Sequence, residues 1–410
     1  MNSAWIKSLE NQVLNREFML HSLLEITRAI NLNKSKEEIL QLFKYILREQ
    51  LGYKCAALFV LEEEWKCPVK YGMKAKWISF DVDGELSRFK EITEIVSSNS
   101  PILEQFHFVI PVFHKKKPLA YLLLNGNKKA EPFNGTGNSM MNFIQSITNI
   151  IVVANENRRM TRQSQVQERL SRELEVASAI QTYLFPSDLP SDRKMDISAR
   201  YSPRHEVGGD YYDFIPLGDD EYIICIADVS GKGIGAALLM ANFQAIVRTL
   251  FSYNRFDFHI LMDELNHKVA QIAKGQHFIT CFMAHYNASS RELRYVNAGH
   301  NQPFITNGRK ATFLSEGCTG LGMLEEFPSF SVGKKQLKPN TTLVLYTDGV
   351  VELGNKEDEQ FGVERLMRII HAFYPLKMED LNNLVFSKLD EWREDQPFVD
   401  DTAIFCCRFF

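Results

Sequence analysis

Apolar positions change their period several times along this chain, and each change marks a new element. Over residues 18–32, Leu20, Leu23, Leu24, Ile26 and Ile30 recur at spacings of three and four, as on one face of a helix. Asn33 and Lys34 interrupt the pattern. Ser35, with Glu38 three positions on, has the form of a capping box. Ile39, Leu42, Phe43, Ile46 and Leu47 then predict a second helix, which Gly52 ends. Strand-like runs follow at Cys55–Leu61, Phe108–Phe113 and Leu119–Leu124, with residues 114–118 as a hairpin connection. Between them, Ser97–Pro101 carries a turn signal. Helical spacing returns from about Phe133 or Gly137 through Met141, Phe143, Ile144, Ile147, Ile150, Ile151 and Ala154.

No Gly or Pro follows until Pro186. Val166, Leu170, Leu174, Ala177, Ile180 and Leu184 form a heptad-like stripe flanked by charged residues. Such a stripe suits a parallel dimeric coiled coil or a helix packed on its own neighbouring domain. Pro186 and Pro190 end it. From Ile197 the chain is rich in strands: 220–227, 278–286, 292–297, 302–306, 342–346 and 403–409. Helices are expected at about 236–251, 258–273, 363–373 and 378–393. Strand runs broken by paired helices predict a layered α/β sandwich, not a doubly wound sheet.

Composition sets the class. A chain of 410 residues implies two or three domains. Its net charge of −4 and lack of a polybasic block argue for no nucleic acid and no membrane partner. No signal peptide or bilayer-length apolar run is seen, so a cytoplasmic protein is expected. The seven cysteines form no C-x-x-C pair and mostly sit in apolar runs, as reduced core thiols do.

Chemistry concentrates in four acidic turns beside apolar strands: Glu206–Phe214, Ala227–Gly233, Tyr346–Val350 and Val399–Thr402. A buried carboxylate is costly unless it is paired, hydrogen-bonded or metal-bound. Asp210 and Asp228 therefore point to a cation site. No cysteine sits in a phosphate-cradling loop, which argues against thiol-based phosphoryl chemistry.

Gly208-Gly-Asp-Tyr-Tyr-Asp213, Ala227-Asp-Val-Ser-Gly-Lys-Gly233, Asn297-Ala-Gly-His-Asn301, Tyr346-Thr-Asp-Gly-Val350 and Asp400-Asp-Thr402 occur in this order. The set closely resembles the metal-dependent PPM serine/threonine phosphatases, in the bacterial branch typified by SpoIIE and RsbU, over residues 165–410. The resemblance implies an αββα sandwich and two Mn²⁺ or Mg²⁺ ions. It implies Asp210, Asp228, Asp348 and Asp400 as catalytic metal ligands, with the Val229 carbonyl as a further ligand and Asp228 as the bridge. Hard divalent ions want oxygen ligands, and two of them can activate a shared water for in-line attack. Asp213 is expected to be structural. The pair reads Asp-Asp-Thr-Ala where the family has Asp-Asp-x-Thr, so Asp401 competes with Asp400. Lys232 is a candidate substrate-phosphate contact or a solvated turn lysine. His300 is a general acid or, more simply, a loop-holding histidine. Residues 15–155 resemble a GAF sensor domain in element order.

The expected organisation is therefore a GAF-like sensor domain (1–155), a helical coiled-coil linker (156–190) and a PPM-type phosphatase domain (191–410). The expected function is a phosphoserine/phosphothreonine protein phosphatase. Its implied partner is a phosphorylated STAS-domain anti-sigma factor antagonist, with a small molecule or protein as input at the first domain and a homodimer formed through the linker. A catalytically silent binding module, or the same chemistry on a non-protein phosphoester, are the alternatives.

Overall fold

The structure, a computed structural model, describes residues 2–73, 80–96, 100–125, 136–218, 220–251 and 257–410. The chain divides into two compact units, residues 1–168 and 169–410.

In the first unit, helices α1 (Asn2–Asn31) and α2 (Lys36–Tyr45) precede strands β1 (Ala56–Leu61) and β2 (Trp65–Tyr71). A short helix α3 (Val82–Leu86) and strands β3 (Thr93–Glu94), β4 (Phe108–His114) and β5 (Lys117–Leu124) follow. The sheet order is β2-β1-β5-β4-β3, with every pairing antiparallel. The Ser35 capping box is present: the Ser35 hydroxyl accepts from Glu38 N, and the Glu38 carboxylate accepts from Ser35 N. Helix α1 begins well before residue 18. Its early part carries exposed Val13 and Leu14, so no buried stripe advertised it. Strand β2 escaped notice because it is an edge strand with only Val69 buried, and Pro68 fits such an edge. The β4–β5 connection is tighter than expected: His114 pairs with Lys117, leaving a two-residue turn with Lys115 at φ 55°. The turn expected at Ser97–Pro101 falls largely on residues 97–99, outside the described residues; so does Phe133.

One sheet face packs Ile26, Phe43 and Ile147 from the helices; the other packs Phe59, Leu86, Leu103 and Phe106. Helix α4 (Thr136–Thr182) runs unbroken for 47 residues, and the division between units falls inside it. Val166, Leu170 and Ile180 of its heptad-like stripe are exposed.

The second unit has strands β6 (Met195–Ser202), β7 (Tyr211–Gly218) and β8 (Glu221–Val229), helices α5 (Ile234–Phe251) and α6 (Phe258–Ala273), and strands β9 (Ile279–Asn287) and β10 (Glu292–Ala298). Short strands β11 (Phe304–Thr306), β12 (Ala311–Phe313), β13 (Gly317–Cys318) and β14 (Gly333–Gln336) lead to β15 (Thr341–Tyr346). Helices α7 (Asp348–Val351), α8 (Gly362–Ala372) and α9 (Met378–Arg393) precede β16 (Thr402–Phe409). One sheet runs β13-β10-β9-β8-β7, with β14 also on β10; the other runs β12-β11-β15-β16-β6.

Alternation along the strands builds four layers. In β8, Ile223, Cys225, Ala227 and Val229 pack with α5 and α6, while Ile224 and Ile226 meet the other sheet. In β16, Ala403, Phe405 and Cys407 face the first sheet, while Ile404 and Cys406 pack with α8 and α9. Helices therefore cover both outer faces of a two-sheet sandwich. Among the described residues, α5 is the one helix long and apolar enough to cross a bilayer. Its Leu239, Met240, Phe243 and Val247 are buried in the core beside the sheet.

Candidate active site

The alternation that builds the core also places the acids. On β8, Asp228 has the same parity as Ile224 and Ile226, so it belongs to the face between the sheets. Asp210 immediately precedes β7, and continuing the Tyr211–Ala227 register sets it directly across from Asp228. On the other sheet, the Tyr346–Ile404 pairing brings the chain after β15 to the chain before β16. Asp348 opens α7 there, and Asp400 and Asp401 precede β16. Four turns far apart in sequence thus meet at one end of the sandwich.

Hydrogen bonds fix this end. Asp210 is 1% exposed, and its Oδ2 accepts from Thr347 Oγ1 at 2.8 Å. Thr347 Oγ1 in turn accepts from Ala403 N at 2.9 Å within its own sheet, so the Asp210–Thr347 bond is the one that ties the two sheets together. Asp401 is spent on backbone: its oxygens accept from Arg204 N at 2.8 Å and Gly209 N at 2.6 Å. Asp400 instead accepts from its neighbour Asp401 N at 3.0 Å through Oδ1. Its Oδ2 lies 2.6 Å from Lys232 Nζ. Gly209 sits in a tight place, because a Cβ there would lie 3.1 Å from the Val229 carbonyl oxygen.

Concentrated negative charge is expensive here. Burial, then the charges of Asp228 and Asp401, push the Asp210 carboxyl well above its ordinary range. Burial, followed by Asp348, Asp400 and Asp401, pushes Asp228 up to about 7. Burial and then Asp400 raise Asp348. Among the described residues, no three His, Cys, Asp or Glu side chains already stand as a closed metal cage. The carboxylates are electrostatic neighbours. The donor set is carboxylate and carbonyl oxygen without thiolate, and it fits hard divalent ions that retain waters.

The remaining candidates have plainer settings. Asp213 is fully buried. It accepts from Phe214 N at 2.8 Å, from Arg248 Nε at 2.8 Å and Nη2 at 2.9 Å, and from the Tyr211 hydroxyl. It points to the helix-covered face of its sheet, so it is a structural anchor. Lys232 is not a free turn lysine: besides Asp400 it donates to the Val399 carbonyl at 3.2 Å. His300 is buried, and burial pushes its pKa down to about 4. Its N–H donates to Asn297 Oδ1 at 2.8 Å, its carbonyl accepts from Asn297 Nδ2 at 3.0 Å, and Nδ1 lies 3.0 Å from Thr280 Oγ1. A neutral imidazole held this way keeps a loop in place.

Two residues carried no usable sequence signal. Gln181, near the end of α4, is buried. Its amide donates to Gly208 O at 2.7 Å and accepts from Gly208 N at 3.2 Å, two residues before Asp210. Arg204 backs the same loop, its side chain donating to the Val399 carbonyl.

The family model for Stage II sporulation protein E (SpoIIE) matches residues 218–410 and so begins after Asp210. The chain is 33% identical to the phosphoserine phosphatase RsbU of Bacillus subtilis over 244 residues, which cover 58% of this chain and 71% of RsbU. The chain belongs to the SpoIIE-type PP2C (PPM) phosphatase family. Its second unit is accordingly a protein serine/threonine phosphatase domain of a metal-dependent family. It is also 31% identical over 239 residues to Protein IcfG of Synechocystis sp.; this covers 51% of the chain but only 37% of IcfG. The SiaA-PP2C domain of Pseudomonas aeruginosa is similar in fold, with TM-score 0.52 at 21% identity, over 60% of this chain and 99% of that domain. The layered sandwich is the fold shared with that domain, and in this chain the acidic turns sit at its end.

Proposed function

We propose that this protein hydrolyses phosphoserine and phosphothreonine on a phosphorylated STAS-domain anti-sigma factor antagonist, in the cytoplasm, using two Mn²⁺ or Mg²⁺ ions. The observation that carries the reading is the convergence of Asp210, Asp228, Asp348 and Asp400 from four turns onto one end of the sandwich. Asp210, Asp228, Asp348, Asp400 and the Val229 carbonyl would hold the ions. When bound, such a pair supplies an activated water and a clamp for phosphoryl oxygens. Thr347 orients Asp210 through its 2.8 Å bond. Asp401 holds the Arg204–Gly209 loop, so Asp400 is the one of the two that would be left to a metal ion. The 2.6 Å Lys232–Asp400 pair puts a cationic side chain at the rim, where a substrate phosphate arrives.

The test is phosphate release from a phosphoserine-bearing STAS protein by the full chain. Release is expected to require Mn²⁺, to stop in excess EDTA, and to exceed release from small phosphoesters. Undiminished release in EDTA removes the metal mechanism. Equal rates on small esters remove the protein substrate.

Control from the first unit is the second part of the proposal, with residues 1–155 as a GAF-like sensor, 156–190 as a linker and 191–410 as the phosphatase domain. The exposed Val166, Leu170 and Ile180 stripe supports a homodimer through the linker. A groove of about 880 Å³ in the first unit, lined by Lys36, Leu58, Val60, Glu62, Ile151 and Arg158 among others, supports an input there. Gln181 is the point where a shift of α4 reaches the Asp210 turn. Gln181→Ala leaves both polar groups of buried Gly208 unpaired, at a cost of about 1–3 kcal/mol. It is expected to raise the Mn²⁺ concentration needed for half-maximal turnover. An unchanged metal requirement, measured at a temperature where the variant is folded, takes Gln181 out of this path.

A further inference from the structure

Lys232 occupies an unusual place for a lysine in a glycine turn. Its Nζ lies 2.6 Å from Asp400 Oδ2 and 3.2 Å from the Val399 carbonyl oxygen. Two oxygens of this kind, one carboxylate and one carbonyl, are what a hard cation seeks. The turn delivers the side chain there because Gly231 and Gly233, on either side, adopt φ 97° and 73°, a backbone that other residues rarely tolerate.

We infer that Lys232 is a tethered cation that holds the Asp400 corner of the acid cluster and must withdraw before a divalent ion binds there. The inference rests on the proposed metal reading and goes one step further, to this chain's own competitor for the site. Three observations support it. The first is chemical: an ammonium on a flexible four-carbon stem is a compact point charge, the closest a side chain comes to a small metal ion. The second is exposure. The two side chains are 45% and 36% exposed, and a water-accessible pair of this kind is weak enough to exchange. The third is room on one side: a Cβ at Gly233 or Gly235 would meet nothing within 4 Å, whereas Gly231 packs against His277, so the freedom lies in the lysine's own stem and in the turn after it. Lys232 pairs directly with Asp400, and its charge also favours the ionised form of Asp348. Asp228 feels the Asp400 charge, but the ion pair of Lys232 is with Asp400, so Asp210 and Asp228 remain open to an ion. Withdrawal leaves Lys232 at the rim, free to meet the substrate phosphate.

Two classes of Mn²⁺ binding are therefore expected in the full chain, the weaker one set against Lys232. The experiment is a Mn²⁺ titration followed by electron paramagnetic resonance of the free ion, on wild type, Lys232→Met and Lys232→Arg, with melting curves as a check on folding. Lys232→Met is expected to tighten the weaker class about fivefold, the equivalent of losing one exposed ion pair, and to leave the tighter class unchanged. Lys232→Arg keeps the charge and is expected not to tighten it. Lys232→Gln serves in place of the methionine variant if that variant melts early. Adding Asp400→Asn to Lys232→Met should erase the gain. Equal or weaker binding in both uncharged variants overturns the inference and leaves the metal reading standing. If wild type and uncharged variants all fail to bind Mn²⁺, the metal reading falls and the inference with it.

Discussion

Asp228→Asn is expected to cut phosphate release by at least about a thousandfold while making the metal-free protein more stable. Divalent ions at such a site supply several kcal/mol of transition-state stabilisation, and each 1.36 kcal/mol is about tenfold in rate. Losing the proposed bridging ligand would remove most of that. The stability gain has the opposite electrostatic origin. Asp228 is pushed up to about 7 by burial and by Asp348, Asp400 and Asp401, against about 4 in an unfolded chain. Below about pH 4 both states are protonated and the group makes no difference. As pH rises through 4 to 7, the unfolded chain ionises freely and the folded one does not, so this carboxyl erodes stability across that window. The amide variant has nothing to ionise. In EDTA its melting temperature should exceed wild type by a few degrees at pH 7.5, roughly the response of a domain this size to 1 kcal/mol or so. The two should coincide near pH 4. Near-wild-type turnover by Asp228→Asn would sink the site assignment, and a variant less stable than wild type at pH 7.5 would sink the electrostatic argument.

Asp213→Ala is expected to do the reverse: a large loss of stability with the metal requirement intact. Its carboxylate serves Arg248, the Tyr211 hydroxyl and its own neighbour's N–H, with no exposure to water. Removing it strands the buried Tyr211 hydroxyl, whereas half-exposed Arg248 recovers solvent. A cost of about 3 kcal/mol follows, equivalent to roughly 6–12 °C in a domain of this size. Below that melting point, the Mn²⁺ concentration for half-maximal turnover should stay within about twofold of wild type. A variant that melts normally but needs far more metal would make Asp213 a ligand and remove its structural role.

The two aspartates of one short motif thus separate by strand parity. Tyr211 and Asp213 turn toward the helices, while Asp210 precedes the strand on the interlayer side. The family resemblance was enough to suggest the split. It could not supply Arg248, which reaches Asp213 from 35 residues downstream with only a helix-surface position to mark it. The same limit applies to Asp400 and Asp401. Side by side they read alike, and only the loop at Arg204–Gly209 gives Asp401 a separate task. Lys232 and Gln181 make the point for single residues, because each owes its role to a partner more than 25 positions away.

Local pattern was sufficient for elements whose signal is periodic and buried. Helix α6 begins at Phe258 and ends at Ala273, as the spacing of its apolar residues predicts, and β16 and α9 lie within a residue of expectation. It failed for β2 and the early part of α1, which bury little and so leave no stripe to read. By itself, the sequence determined that acidic turns end apolar strands, that the second half is layered, and which residue types are at hand for a cation. Strand periodicity and the cost of burying charge are local or additive, so they are written in the order of residues. Which carboxylate faces the cluster, which one clamps backbone, and which cation stands at Asp400 were decided by the tertiary structure alone. Those roles depend on pairings between turns brought together only when the two sheets close.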